Sequence, residues 1–280
     1  MEFRTQVTIE NPSFCIEPCE EMLFVGSCFA DAIGQRFRQE AFPVVVNPFG
    51  VMYNPASILH TLQRLYTTNP AVPLTPPRVA FLTLGTNHVY RLKETGEIVD
   101  NCEKRPAALF QEEELTVDQC ADYLRQSIAL LRETNPAIQV VLTVSPIRYR
   151  KYGYHESQLS KATLLLAAQQ VVTTTPAGET AGSVSYFPAY EIVMDELRDY
   201  RFYAADMLHP SDQAVEYIWE RFVDTYFSQT AKDFLAEWRP LKQALAHKPF
   251  HADSPEYRAF HEQTMTKVAE LKKKYPHLAL

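Results

Sequence analysis

The sequence predicts an α/β protein: a three-layer, doubly wound parallel sheet of about five strands, followed by a C-terminal helical extension. Three observations carry this. Met22-Leu23-Phe24-Val25, Val79 to Leu84 and Ile138 to Val144 are continuous apolar runs, the pattern of strands buried on both faces of a parallel sheet. Segments of helical periodicity stand between them, which implies right-handed crossovers. Beyond Phe227 the strand patterns stop and charged amphipathic helices take over. The division expected is 1–228 for the sheet domain and 229–280 for a helical extension packing on it.

Taken in order, residues 1–20 alternate only weakly, which suits an edge strand or a segment wrapping the sheet. From Met22 to Phe37 the hydrophobic period changes at Ser27: a strand pattern precedes it, and Phe29, Ile33 and Phe37 then recur every four residues as one helical stripe. Gly26 lets the backbone turn between the two. Phe42 to Asn47 is a second strand ending in the turn-forming Asn47-Pro48-Phe49-Gly50. Asn54 caps a helix with Pro55 in its first position and Ile58, Leu62 and Leu65 inside. Thr67 to Pro77 is a surface connection, and the third strand closes at Gly85-Thr86-Asn87. His88 to Asn101 reads as a hairpin excursion, and Thr116 to Glu133 as a helix burying Cys120, Tyr123, Leu124 and Ile128. Ser145-Pro146 stops the fourth strand, a cationic and aromatic loop runs from Arg148 to His155, and a helix covers Gln158 to Val172. After a Thr/Gly/Pro loop, Val184 to Tyr190 supplies a short fifth strand before a helix at Glu191 to Arg198. Pro210 would open the helix containing Val215, Ile218 and Phe222. Ser254-Pro255 starts the last helix, whose stripe of Tyr257, Phe260, Val268, Leu271 and Tyr275 suits packing on the main domain or homo-oligomer formation through the C-terminal helices.

Composition narrows the function. A chain of 280 residues with 46% hydrophobic content can bury a substantial core. A formal net charge of −7 and the lack of a basic stripe argue against nucleic acid. No apolar run is long enough for a membrane span, and the first residues lack the apolar segment of a signal peptide. The five cysteines, at 15, 19, 28, 102 and 120, have no C-x-x-C spacing and read as free thiols. The expectation is a cytoplasmic protein without a metal site or cofactor.

Two places can carry chemistry. Ser27 lies just beyond the carboxyl end of the first strand, where open α/β sheets bind ligands and where a helix opening presents unpaired N–H groups. It can serve a reaction there, or simply cap the helix. Asp206 and His209 stand three apart before Pro210, so the carboxylate can hold the imidazole tautomer that accepts a proton. A capped turn with a solvated histidine is the other reading. An α/β-hydrolase elbow is excluded, since G-x-S-x-G would need glycine where Val25 and Phe29 stand.

Gly26-Ser27-Cys28-Phe29-Ala30 spells the motif of the GSCFA family, which resembles the SGNH (GDSL-like) esterases. The resemblance runs from about Gly26 to about Trp219, through Asn47-Pro48-Phe49-Gly50, Leu84-Gly85-Thr86, Ser145-Pro146, Ser160-Lys161, Tyr186-Phe187-Pro188 and Asp206-Met207-Leu208-His209-Pro210. It implies an SGNH/flavodoxin-like sheet with Ser27 as nucleophile, His209 as general base and Asp206 as its orienter. For the oxyanion hole it implies the N–H groups of Ser27 and Gly50 and the side-chain amide of Asn87. The first block departs from Gly-Asp-Ser-Leu, and Cys28 puts a stronger nucleophile beside the serine. The helical stripe from Phe29 faces Cys28 away, so a buried structural thiol is expected. His88, Ser145, Arg148 and His155 are expected to bind substrate, with Lys161 and Tyr90 nearby. The function expected is hydrolysis of an acyl ester, chiefly acetyl, of a carbohydrate or small metabolite. An O-acyltransferase using the same site and a non-catalytic binding module are the alternatives.

Overall fold

The computed structural model describes residues 4–67, 76–102, 104–174, 182–251 and 253–280. In chain order the main elements are β1 (Met22–Gly26), α1 (Cys28–Gln39), β2 (Val44–Val46), α2 (Pro55–Thr67), β3 (Val79–Leu84), β4 (His88–Leu92), β5 (Ile98–Val99), β6 (Phe110–Glu114), α3 (Val117–Thr134), β7 (Gln139–Val144), α4 (Tyr154–Thr174), β8 (Val184–Tyr186), α5 (Ala189–Glu191), α6 (Asp212–Tyr226), α7 (Gln229–Ala246) and α8 (Pro255–Lys274). Five strands form an all-parallel sheet in the order β2-β1-β3-β7-β8, with Met22 opposite both Val44 and Val79. The expected doubly wound sheet is therefore present.

Alternation along each strand sorts the core into two layers. Met22, Phe24, Val79, Phe81 and Val141 pack with α1, α6, α7 and α8, whereas Leu23, Val25, Ala80, Leu82, Val140 and Leu142 pack with α2, α3 and α4. The first layer is dense in rings: Phe37 of α1 lies 4.9 Å from Trp219, 5.2 Å from Phe42 and 5.0 Å from Phe24, centroid to centroid. The C-terminal helices close over the far end of α1. Trp238 Nε1 donates to Gln39 O at 2.9 Å, Ala279 N–H donates to Ala41 O at 2.9 Å, and Phe234 bridges Phe42 and Tyr275.

Several local expectations change. The hairpin after β3 is a three-stranded antiparallel sheet, β5-β4-β6, because Phe110–Glu114 pairs with β4 at His88↔Glu114. The fourth-strand helix begins at Tyr154 rather than Gln158, which puts His155 in its first turn. The fifth strand ends at Tyr186, and the short α5 runs on into a π-helical turn at Ile192–Glu196. Pro210 precedes α6 instead of opening it: Ser211 is the cap, its Oγ accepting Ala214 N–H at 3.3 Å. Among residues 4–20, pairing to the main body is a single bridge of Ile16 to Phe227. Most of the Thr67 to Pro77 connection and of the loop before β8 lies outside the described residues. No helix of the described residues is long and apolar enough to cross a membrane.

The chain leaves β1 toward β2 on one side and returns to β3 on the other. The sheet's switch point thus falls between the carboxyl ends of β1 and β3, the crevice where such sheets place ligands.

Candidate active site

The switch point is built around a glycine that nothing else can replace. Gly26 has φ +139°, and a Cβ there would stand 2.1 Å from Thr83 O. Asn47, itself at φ 39°, clamps this turn: its Oδ1 accepts Gly26 N–H at 2.9 Å and its Nδ2 donates to Asp31 at 2.7 Å. The chain can then enter α1 with Ser27 at the cap and Cys28 at the first helical position.

Ser27 is turned inward. It is 1% exposed, its Oγ accepts Phe29 N–H at 3.3 Å and shares a 2.9 Å hydrogen bond with Thr83 Oγ1. These are the bonds of a helix cap anchored to β3. The imidazole of His209 meets the neighbouring residue instead: Nε2 lies 3.4 Å from Cys28 Sγ. On the other side of the ring, Nδ1 lies 2.6 Å from Asp206 Oδ2, and Asp206 Oδ1 accepts the N–H groups of Leu208 at 2.8 Å and His209 at 3.0 Å. The structure brings a thiol, an imidazole and a carboxylate into one series and leaves the serine hydroxyl outside it. Cys28 does not face away from the site. At the end of a helix a side chain is not confined to the stripe that governs the following turns. The signal was in the letters, since Gly-Ser-Cys set against Gly-Asp-Ser puts sulfur in the third place.

The loop holding the imidazole is tightly closed. Met207 takes the left-handed φ of 58°, Ala204 N–H donates to His209 O at 2.8 Å, and Arg148 reaches across with its backbone N–H to Leu208 O at 3.0 Å and Nη1 to Met207 O at 3.1 Å. The N–H groups of His209 and Leu208, followed by the imidazole, hold the Asp206 carboxyl well below the usual range, so it stays ionised as an orienter must. Burial pushes the Cys28 thiol up; Asp31 and Asp206 push the same way, while its own N–H and Lys161 pull back.

Each expected oxyanion donor is already engaged. Ser27 N–H donates to Thr83 O at 3.1 Å, and Gly50 N–H closes its turn onto Asn47 O at 2.9 Å on the protein surface. Asn87 Nδ2 donates to Leu115 O at 2.8 Å, where the antiparallel sheet leads into α3. What does border Cys28 is a small cavity of about 20 Å³, which Ser27 and Thr86 also line and which Tyr53, Gly85, Ser145, Ile147, Tyr149 and Lys161 complete. Lys161, expected near the substrate-binding residues, stands on the inward stripe of α4 beside Ser157, Ser160 and Leu164. It is 2% exposed, and its Nζ donates to Gly85 O at 2.7 Å and Ser145 O at 2.8 Å, just past the ends of β3 and β7. Burial brings its ammonium down to about 7, opposed by Cys28.

Of the expected substrate contacts, Ser145 lines the small cavity and Arg148 lines a wider cleft of about 290 Å³ that shares Ile147 and Lys161 with it. The guanidinium of Arg148 sits 4.3 Å from the Tyr154 ring and 5.3 Å from Tyr203. His88 is stacked on Tyr152 at 4.0 Å, and burial pushes its imidazole below the ordinary value while Glu114 and Glu112 pull it back. His155 is exposed at the start of α4 and lines neither space.

These features define an α/β/α protein with a thiol–imidazole–carboxylate series at the switch point of its sheet. The chain belongs to the GSCFA family: the family model described by that name matches residues 21–74 and 71–222, and a second, for the C-terminal domain of GSCFA domain proteins, matches 238–280. The membership read from Gly26 to Ala30 therefore holds. Among curated proteins nothing matches. Similar solved structures include an acetyl esterase mutant with acetate ion, at 12% identity and TM-score 0.44 over 79% of this chain and 99% of that one. They also include a catalytic mutant of an acetylxylan esterase from Geobacillus stearothermophilus, at 15% identity and TM-score 0.44 over 77% and 98%. A carbohydrate esterase family 3 protein from Talaromyces cellulolyticus follows at 11% identity and TM-score 0.41 over 72% and 94%. Likeness at this level assigns no residue a role.

Proposed function

We propose that this protein is an acyl-ester hydrolase that works through Cys28, with His209 as general base and Asp206 as its orienter. One observation carries the reading: His209 Nε2 stands 3.4 Å from the thiol while Nδ1 is held by Asp206 at 2.6 Å. A thiol raised by burial is protonated at neutral pH, so it needs such a base. His209 takes the S–H proton as sulfur attacks the ester carbonyl, forming a C–S bond. Collapse of the tetrahedral species breaks the C–O bond to the alcohol, which leaves with the proton from His209. Water, deprotonated by the same imidazole, then cleaves the thioester to a carboxylic acid and restores the thiol.

The confined space beside Cys28 suits the carbonyl end of a short acyl group such as acetyl, and the tyrosine-lined cleft suits the alcohol portion, a carbohydrate or small metabolite. The thioester also supports the neighbouring activity, O-acyl transfer to an acceptor hydroxyl in place of water.

The test compares Cys28→Ala and Ser27→Ala on 4-nitrophenyl acetate, with the acylated peptide located by mass spectrometry after a rapid acid quench. The expectation is that Cys28→Ala abolishes turnover and the adduct, whereas Ser27→Ala retains both. An adduct on Ser27, with activity surviving in Cys28→Ala, would return the nucleophile to the serine. Absence of any adduct or turnover with a panel of short acyl esters would leave a binding module.

A further inference from the structure

With the three expected oxyanion donors engaged elsewhere, the question is what meets the negative charge that acyl transfer places on the carbonyl oxygen. We infer that Lys161 does so: two of its three N–H groups are held by Gly85 O and Ser145 O, and the ammonium borders the small cavity against Cys28 where that oxygen would sit. The inference rests on Cys28 being the acyl acceptor. Three features of the site point to it.

The first is the absence of a counter-charge. Among the described residues no carboxylate comes within ion-pair distance of Lys161, although the side chain is almost fully buried. A cation removed from water without an acid is costly, and its lowered proton affinity reports that cost. Such an arrangement becomes favourable when an anion forms beside it, which is the requirement for stabilising a transition state more than the ground state.

The second is rigidity. The two carbonyls lie at the ends of β3 and β7, so Nζ is fixed by the sheet itself and needs no rearrangement when charge develops. The third is electrical balance around the thiol. Cys28 is faced by Asp31 from α1, by Asp206 and His209 from the loop before α6, by Tyr53 ahead of α2 and by Tyr149 after β7. The carboxylates disfavour a thiolate, and Lys161 is the cation among these groups that favours one. On its other side Lys161 meets the Tyr190 ring, 5.9 Å from Nζ.

In the reaction Lys161 exchanges no proton overall. As the C–S bond forms, the carbonyl electron pair moves onto oxygen and the ammonium receives it electrostatically. When the C–O bond to the alcohol breaks, that pair returns and Lys161 is unchanged.

The experiment follows alkylation of Cys28 by iodoacetamide against pH in the wild type, Lys161→Met and Lys161→Gln, with the Cys28 peptide quantified by mass spectrometry. Below pH 7, where Lys161 holds its proton, loss of the cation should slow Cys28 alkylation by about tenfold in both variants, and the difference should fade as the wild-type lysine gives up its proton above pH 7. The same loss should also lower kcat on 4-nitrophenyl acetate by roughly 10²-fold with KM nearly unchanged. Should Lys161→Met fail to fold, Lys161→Gln retains a donor for the two carbonyls. Alkylation rates below pH 7 that match the wild type in both variants would reduce Lys161 to a strap between two strands. If Cys28→Ala turns over the ester like wild type, it is the thiol reading that fails, and the alkylation rates below pH 7 still decide the influence of Lys161 on Cys28.

Discussion

Replacing Lys161 with methionine should change how stability depends on pH. Lys161 is buried with its ammonium brought from an ordinary 10.5 to about 7. Between those values the unfolded chain holds a proton that the native protein has released. Stability therefore rises with pH through this window, by up to about 1.4 kcal/mol per unit for one group, and is flat with respect to this group below it. Integrated from pH 7 to pH 9, the wild type should gain roughly 2 kcal/mol relative to the variant. Methionine also strips Gly85 O and Ser145 O of their donor, a loss of roughly 1 to 3 kcal/mol per carbonyl that does not vary with pH. The variant is thus expected to be less stable at pH 9, with the gap narrowing toward pH 7. Urea unfolding at pH 7, 8 and 9 reads this difference directly, and stopping at pH 9 limits interference from Cys19 and Cys120, whose thiols burial raises to about 12. Parallel stability curves for the two proteins would refute the account of a proton-poor buried lysine.

Further outcomes follow from the same geometry. Gly26→Ala, whose new Cβ would meet Thr83 O at 2.1 Å, should destabilise the protein by roughly 3 kcal/mol or more and lower its Tm clearly. Asp206→Asn should preserve the fold measured by circular dichroism yet cut ester turnover by about 10³- to 10⁴-fold, because an amide facing Nδ1 favours the tautomer whose Nε2 cannot accept the thiol proton. Trp238→Phe removes the donor to Gln39 O together with the pyrrole part of a buried indole, at a cost of roughly 2 kcal/mol or more measured by urea unfolding.

The sheet was legible because β1, β3 and β7 are buried on both faces, which forces nearly unbroken apolar runs into the sequence. The strand Phe110–Glu114 was not, since FQEEE is an exposed edge segment whose pairing with β4 is set by the antiparallel partner rather than by its own composition. At the site, spacing located the Asp206 and His209 pair, as their contact is confined to one short loop. The partner of that imidazole depended on which way two adjacent residues turn at a helix end, and hydrophobic period carries no information there. Asn87 shows the same limit from another side. Its position after β3 follows from the sequence, whereas the direction of its amide is fixed by a carbonyl at Leu115 that only tertiary structure supplies.

The thiol and its imidazole are separated by 181 positions along the chain. At ordinary rates of synthesis, that interval corresponds to roughly 10 to 40 seconds on the ribosome. Throughout it, under the proposed mechanism, Cys28 has emerged without the base that would activate it, so the nascent polypeptide carries an ordinary cysteine. Wide separation of the two groups thus delays reactivity until the surrounding walls can assemble.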